Sequence, residues 1–134
     1  MAGYSGTPLA KKLGIRDGSR VGLVFAPSTT VPAGFPIGAS GEAPFDVVVG
    51  FVTVADELRP LIERWAELIT VDGGLWIAWP KKTARKIVPS DMTEDVVREV
   101  ALPLGLVDNK VCAIDDVWSG LRVVWRVEER ANRR

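Results

Sequence analysis

The chain of 134 residues contains no histidine and only one cysteine. The lack of histidine excludes a Ser-His-Asp or Cys-His catalytic site, a histidine general base and any histidine-ligated metal. The single cysteine, Cys112, excludes an intrachain disulfide and a zinc site built from several thiolates. Because Cys112 lies in the apolar run KVCAI, a buried small side chain is a better interpretation than a reactive thiol.

A net charge is also absent, since 17 basic residues balance 17 acidic residues. The protein therefore exerts no general attraction on nucleic acid or anionic membranes, and any such attraction must be local. No apolar run approaches the roughly eighteen residues of a membrane span. The first residues, MAGYSGTPLAKKLG, lack the apolar core of a secretory signal. We therefore expect a cytoplasmic protein with no membrane partner.

The pattern of apolar residues predicts one domain over residues 1–134. The segments 46–53 and 75–80 are apolar on both faces, which is typical of covered central strands. Further strands are predicted at about 20–26, 107–114 and 121–127, and VDGG at 71–74 is predicted to be a turn.

Helical spacing and capping residues predict three helices between these strands. The first covers 7–14 with Thr7 as its cap, and the second covers about 60–69 after an irregular turn at Pro60. The third starts at a capping box of Asp91 and Glu94 and ends before Gly105. Residues 27–45, rich in proline and glycine, are predicted to be an irregular loop, and 128–134 a frayed tail.

Strands that alternate with helices indicate a parallel sheet covered by helices. The last two strands have a short connection and must form an antiparallel hairpin. The predicted fold class is thus α/β: a single three-layer Rossmann-like domain of about five strands. Its sheet is mostly parallel and ends in a C-terminal antiparallel hairpin strand.

This arrangement resembles the C-terminal half of a class I S-adenosylmethionine-dependent methyltransferase. RVGLVFAP resembles the first methyltransferase strand, DVVVGFVT and GGLWIAWP the fourth and fifth, and VDNKVCAI and LRVVWRV the sixth and seventh. The second and third strands of that family have no counterpart, so the resemblance implies a truncated fold. The motifs AGYSGTPLAKKLGI, WPKK and TEDVVREVALPLGLVDNKVCAIDDVWSGLR are similar to a family of small bacterial proteins. That family is known as a domain of unknown function (number three thousand and fifty-two), and it implies no activity.

Methyltransferases hold their cofactor on a glycine-rich turn after the first strand and by an acidic residue after the second. Here the first strand runs into APSTTVP, which has no G-x-G, and the acid-bearing strand is missing. The chain therefore departs from the family where the cofactor binds. We expect no cofactor in the usual mode, no metal and no catalytic residue.

Ligands of open parallel sheets bind beyond the carboxyl ends of the strands. The residues that follow the predicted strands are the candidates for such a site: Ser28, Thr29, Lys81, Lys82, Arg85, Lys86, Asp115, Asp116, Trp118 and Ser119. The cationic loop KKTARK at 81–86 favours a ligand with phosphate or carboxylate groups. The alternative is a solvated loop in which the aspartates neutralise the lysines at the surface.

Three functions fit this sequence. The first is a non-catalytic, regulatory module that binds a protein partner, a second copy of itself or a small anionic ligand. The second is a small enzyme or nucleotide-binding protein that uses Lys81, Lys82, Asp115 and Asp116. The third is a nucleic-acid binder that uses 81–86, Arg122, Arg126 and Trp118, which zero net charge and the lack of a known motif disfavour. Trp118 could stack on a base or dock in a partner, and packing over the end of the sheet is an equal alternative.

Overall fold

A five-stranded sheet forms the centre of the computed structural model, which describes residues 8–30 and 35–134. The order across the sheet is β1-β2-β3-β5-β4. The strands are β1 (Val21–Phe25), β2 (Phe45–Phe51), β3 (Ile69–Pro80), β4 (Leu106–Ala113) and β5 (Trp118–Trp125). Strands β1, β2 and β3 are parallel, and β5 runs antiparallel to both β3 and β4. The predicted α/β fold with a mostly parallel sheet and an antiparallel hairpin strand is confirmed.

Helices cover both faces of the sheet and make the three predicted layers. They are α1 (Leu9–Lys12), α2 (Leu58–Trp65), α3 (Glu94–Ala101) and α4 (Val127–Arg133). One face of β3 presents Leu75 and Ile77 to a core that includes residues of α2 and α3. The opposite face presents Trp76 to a second core that includes Leu9 of α1. None of the described helices is long and apolar enough to cross a membrane.

Helix boundaries differ from the predictions in their capping residues. Thr93, rather than Asp91, caps α3, because its hydroxyl accepts a hydrogen bond from the Val96 amide at 3.1 Å. Asp91 instead accepts a hydrogen bond from the Ala55 amide at 2.8 Å, which ties the start of α2 to the start of α3. The predicted cap of the first helix, Thr7, lies outside the described residues.

Strand β3 begins at Ile69, so the segment predicted to be a turn, 71–74, lies within its bounds. The pairing with β2 is irregular there, because it passes from Phe45–Ile69 directly to Val47–Gly74. A Cβ atom on Gly74 would lie 2.2 Å from Nε of Arg122, which packs directly over this position. A Cβ atom on Gly73 would lie 2.9 Å from the backbone oxygen of Asp46. The two glycines therefore permit close contacts within the sheet instead of reversing the chain.

The C-terminal segment is helical, and the prediction of a frayed tail at 128–134 is wrong. Arg133 of α4 places its guanidinium carbon 3.5 Å from the centre of the Trp125 ring. The same guanidinium forms an ion pair with Glu67 at 2.9 Å. A cation on an aromatic face and a salt bridge thus hold α4 against the sheet.

The described part of the predicted loop, 27–30 and 35–44, is irregular except at Ser40. Ser40 forms an isolated antiparallel bridge with Val21, with backbone hydrogen bonds of 2.7 and 2.9 Å. Phe35 packs edge-on against Phe51 at 5.0 Å between ring centroids. The loop ends at residue 44, since Phe45 already belongs to β2.

We expect Gly73→Ala to lower the free energy of unfolding by about 1–3 kcal/mol, because the new methyl group would meet backbone oxygen atoms inside the sheet. Gly38→Ala is the matched control, since a Cβ atom there has no neighbour within 4 Å. Urea unfolding midpoints measure both effects. Equal midpoints for the two variants would contradict the close approach of Gly73 to the backbone oxygens of Phe45 and Asp46.

Candidate functional site

The predicted site residues lie at the carboxyl edge of the parallel strands. Ser28 and Thr29 follow β1, and the basic loop 81–86 follows β3. Asp115 and Asp116 lie in the turn between β4 and β5. The Lys81 amide donates to the Val117 carbonyl at 2.8 Å, which joins the basic loop to that turn. The edge therefore has one cluster of polar residues beside β1 and β2 and a second cluster beside β3, β4 and β5.

Two buried threonines, Thr29 and Thr53, contact each other between the ends of β1 and β2. Thr29 Oγ1 accepts a hydrogen bond from the Thr53 amide at 3.1 Å and lies 3.3 Å from Thr53 Oγ1. The side chains are 8% and 6% exposed, respectively. Ser90 donates its hydroxyl to the Thr53 carbonyl at 2.7 Å, which closes the group from the side of α3. Thr29 is therefore part of the internal packing of this edge.

Ser28 is bound to a carboxylate of the chain itself. Its amide donates to Glu57 Oε1 at 3.0 Å, and its hydroxyl donates to Glu57 Oε2 at 2.7 Å. Glu57 lies in a short 3₁₀ turn before α2, and no motif in the sequence marks it as a partner of Ser28. Both donors that Ser28 could offer to an anion are therefore already used.

The basic loop consists of a 3₁₀ turn, Lys82–Ala84, followed by further turns. Lys82 and Lys86 are exposed, and Lys81 is partly exposed. None of these three lysines forms an ion pair with a described residue. Arg85 differs, because its Nη2 donates to the Met92 carbonyl and its Nε is buried without a partner. Arg85 therefore holds the loop against the start of α3. Its side chain does not extend into solvent, unlike the solvated loop of the alternative prediction.

The two aspartates have different surroundings. Asp115 Oδ1 accepts hydrogen bonds from the amides of Val117 and Trp118, both at 2.8 Å, which is the geometry of an Asx turn. Asp116 is exposed. Within the described residues, no ion pair joins either aspartate to Lys81 or Lys82, so the predicted neutralisation of the lysines is not formed.

Trp118 is a buried residue, which agrees with the alternative of packing over the end of the sheet and not with stacking on a base. Its side chain is 5% exposed and packs edge-on against Phe51 at 5.1 Å between ring centroids. The reason is that β5 begins at Trp118, opposite Pro80, so the side chain points into the core of one sheet face. Ser119 is the next strand residue, partly buried and paired with Trp79.

The remaining chemistry of the described residues is limited. Burial raises the pKa of the Cys112 thiol, although Lys12 and Lys110 act in the opposite direction. A raised pKa leaves the sulfur protonated and poorly nucleophilic near neutral pH. In residues 8–30 and 35–134, no group of three or more cysteine or acidic residues is arranged to hold a metal ion.

Comparison with solved structures places this topology among the methyltransferase folds. LepI in complex with SAM has a TM-score of 0.53 and 11% identity, over 90% of this chain and 47% of that chain. A structure described as a pericyclic reaction enzyme has a TM-score of 0.50 and 11% identity over the same shares of both chains. Magnesium protoporphyrin IX methyltransferase of Synechocystis PCC 6803 with bound SAH has a TM-score of 0.45 and 17% identity, over 65% of this chain and 47% of that chain.

At these identities the comparison shows the fold alone, and this fold is methyltransferase-like. The chain spans about half the length of these structures. No protein-family model matches the chain, and the comparison with curated proteins gave no match. The resemblance to the family of unknown function therefore stays a prediction.

The polar groups where β1 ends do not offer a methyltransferase cofactor the free amides that it needs there. A cavity of about 260 Å³ lies beside them, lined by residues that include Ala26, Pro27 and Glu57. Here the Ser28 amide is bound to Glu57, and Thr29 is bound to Thr53. We therefore derive no chemical step through S-adenosylmethionine.

We expect Asp115→Ala to lower the free energy of unfolding by about 1–3 kcal/mol, because two amides of the β4–β5 turn lose their acceptor. Asp116→Ala is the matched control and is expected to change it by less than about 0.5 kcal/mol. Thermal or urea unfolding measures both variants. If the two substitutions had equal effects, Asp115 would not be the residue that shapes the turn.

Proposed function

We propose that the protein is a non-catalytic binding module. In this proposal the methyltransferase-like fold has lost its cofactor crevice and presents the basic loop 81–86 to a protein partner. The observation that carries the proposal is the set of hydrogen bonds within the chain where β1 ends. Ser28 is bound to Glu57, and Thr29 is bound to Thr53. A fold of this kind hosts many functions, so the function is argued from the site and not from the fold.

These hydrogen bonds within the chain oppose cofactor binding for an energetic reason. A nucleotide or amino-acid cofactor would have to displace the Glu57 carboxylate from the Ser28 amide and hydroxyl. It would also have to separate two buried threonine hydroxyls. Each lost hydrogen bond to a charged or buried group costs about 1–3 kcal/mol unless the ligand replaces it.

The surface around the basic loop supports a protein partner rather than a small ligand. Ile87, beside Lys86, is 78% exposed, and in this proposal it supplies the apolar contact of the surface. The residue best suited to grip a small anion with two hydrogen bonds, Arg85, is used by the Met92 carbonyl. We therefore propose a partner with an acidic surface and an apolar contact for Ile87.

The other two functions have less support. An enzyme that used Asp115 as a base would need a free carboxylate, and two turn amides bind this one. A nucleic-acid binder would need an exposed aromatic side chain beside the lysines, and Trp118 is buried. We retain two further proposals that rest on the sequence: membership of the bacterial family of unknown function, and a cytoplasmic location.

The absence of cofactor binding is tested by an amide NMR titration with S-adenosylmethionine. We expect no saturable shifts at residues 26–30 or 53–57, because their donors are bound within the chain. Thr29→Val removes both the acceptor of the Thr53 amide and the contact between the two hydroxyls, and it is a second background for the same titration. Saturable shifts in the wild-type protein would refute the proposal and favour an enzyme or nucleotide-binding function.

The partner surface is tested by a photo-crosslinking residue at position 82, expressed in the native cells. We expect a crosslinked protein that is lost when Lys86→Glu or Ile87→Ser is added. The matched control is the same crosslinker at position 11, an exposed lysine position of α1. Crosslinks that are equal at positions 82 and 11, or that survive both added substitutions, would count against this surface.

A further inference from the structure

A cavity of about 440 Å³ opens near the amino-terminal ends of β2 and β3, at the end of the sheet opposite to the candidate site. It lies between the segment that follows α1 and strands β2, β3, β4 and β5. The ionisable residues that line it are four cations and two carboxylates: Lys12, Arg16, Lys110, Arg122, Asp46 and Asp72. Lys12 has other contacts, among them the Ala113 carbonyl. Without Lys12, three cations and two carboxylates remain in the wall.

Arg122 lies across the floor of this cavity. In the sheet it pairs with Trp76 of β3 on one side and with Lys110 of β4 on the other. Its guanidinium packs over Gly74, where a Cβ atom would lie 2.2 Å from Nε and 2.7 Å from Cζ. Only glycine leaves room for a guanidinium that lies directly on the strand backbone.

The wall of the cavity is held by Trp76. Its indole nitrogen donates to the Leu13 carbonyl at 3.1 Å, which fixes the chain just after α1. Trp76 itself is fully buried, so it shapes the cavity without offering its ring to a ligand. The positions of Arg122 and the segment after α1 are therefore set by the core.

The charges around Arg122 are not balanced within the described part of the chain. Arg122 is partly buried, and no described carboxylate lies within ion-pair distance of it. Lys110 is directly opposite on the neighbouring strand, and two like charges in this register destabilise a sheet. Burial lowers the pKa of Arg122, and the nearby Arg130 adds to this effect. An arginine nevertheless stays charged in a protein, so the unfavourable charge persists.

The two carboxylates of the wall have other partners. Asp46 Oδ2 accepts a hydrogen bond from the Arg20 amide at 2.8 Å. Asp72 forms an ion pair with Arg134 at 3.1 Å. Neither carboxylate therefore neutralises Arg122 or Lys110.

We propose that this cavity binds a small molecule that carries a phosphate group, with Arg122 as its bidentate anchor and Lys110 as a second cation. A guanidinium presents two parallel donors that match the oxygens of a phosphate. A phosphate carries a charge of about −1.5 to −2 at neutral pH, which offsets the facing cations better than a single carboxylate does. A volume of about 440 Å³ lies within the range of small-molecule sites.

This site is independent of the proposed function. The basic loop 81–86 follows the carboxyl end of β3, whereas Gly73 and Gly74 precede the middle of the same strand. Loss of one activity therefore leaves the other measurable.

The test is an amide NMR titration with inorganic phosphate and with pyrophosphate, using sodium chloride at equal ionic strength as the reference. We expect saturable shifts at Leu13–Arg16, Gly73, Gly74, Lys110 and Arg122. Arg122→Gln is expected to weaken binding at least about tenfold, the equivalent of one charged hydrogen bond. A parallel titration with citrate tests whether carboxylates bind equally well, which would overturn the assignment to phosphate.

Arg126→Gln is the matched control, because Arg126 is an exposed arginine just after the same strand. It is expected to leave phosphate affinity unchanged, as is Lys82→Gln at the other edge. Lys110→Gln provides a second variant, in which a surface lysine is replaced and weaker phosphate binding is expected. We also expect the Arg122→Gln variant to unfold at a denaturant concentration no lower than that of Arg126→Gln. The reason is that Arg122→Gln removes one of two positive charges that face each other.

Three further results would overturn the proposal. They are an absence of saturation by either anion, equal affinity in the wild type and Arg122→Gln, and shifts confined to residues 81–86.

Discussion

The burial of β3 on both faces is the constraint on which the rest of the structure depends. Leu75 and Ile77 face the core that includes residues of α2 and α3, while Trp76 faces the core beside α1, and none of the three is exposed. The strand pairs in parallel with β2 and antiparallel with β5, so it joins the two halves of the sheet. Its buried aromatic side chain also has to satisfy its own N–H group, which it does at the Leu13 carbonyl. This one hydrogen bond couples the central strand to the segment after α1, and thereby shapes the cavity above Arg122.

The two ends of the sheet use polar groups in opposite ways. Beyond the carboxyl ends of β1 and β2, the polar side chains bind one another, as Ser28 does with Glu57 and Thr29 with Thr53. Near the amino-terminal ends of β2 and β3, the charges of Arg122 and Lys110 face each other without an acidic partner among the described residues. A satisfied polar network gives rigidity and specificity of fold, whereas an unbalanced charge has a cost that a ligand can remove. In this chain, the edge where methyltransferase folds hold a cofactor contributes to the stability of the fold instead.

The architecture could be predicted from the sequence because two-sided apolar runs and helical spacing survive as local patterns. The carboxyl edge also followed from strand direction, which brought Lys81 and Asp115 to one end of the sheet. The contacts that decide the site could not be predicted in this way. Asp-Gly-Gly at 72–74 favours a turn locally, and the structure has an irregularity in the β2–β3 pairing there, inside a strand that continues to Pro80. Trp118 follows a turn in sequence, but its burial depends on Phe51, which is distant along the chain.

The two edge strands of the sheet, β1 and β4, are the places where another molecule could pair with this one. A fold without the second and third methyltransferase strands leaves β1 at an edge, where unpaired backbone groups can recruit another chain. β1 has only 5 residues, and Ser40 already occupies the backbone groups of Val21. At the other edge, the register of β4 is interrupted between Asp108 and Lys110, and the lysine faces outward from an irregular strand. Short, bridged or bulged edges of this kind oppose continuous pairing between molecules. These features reduce the unpaired backbone that each edge strand offers to another molecule.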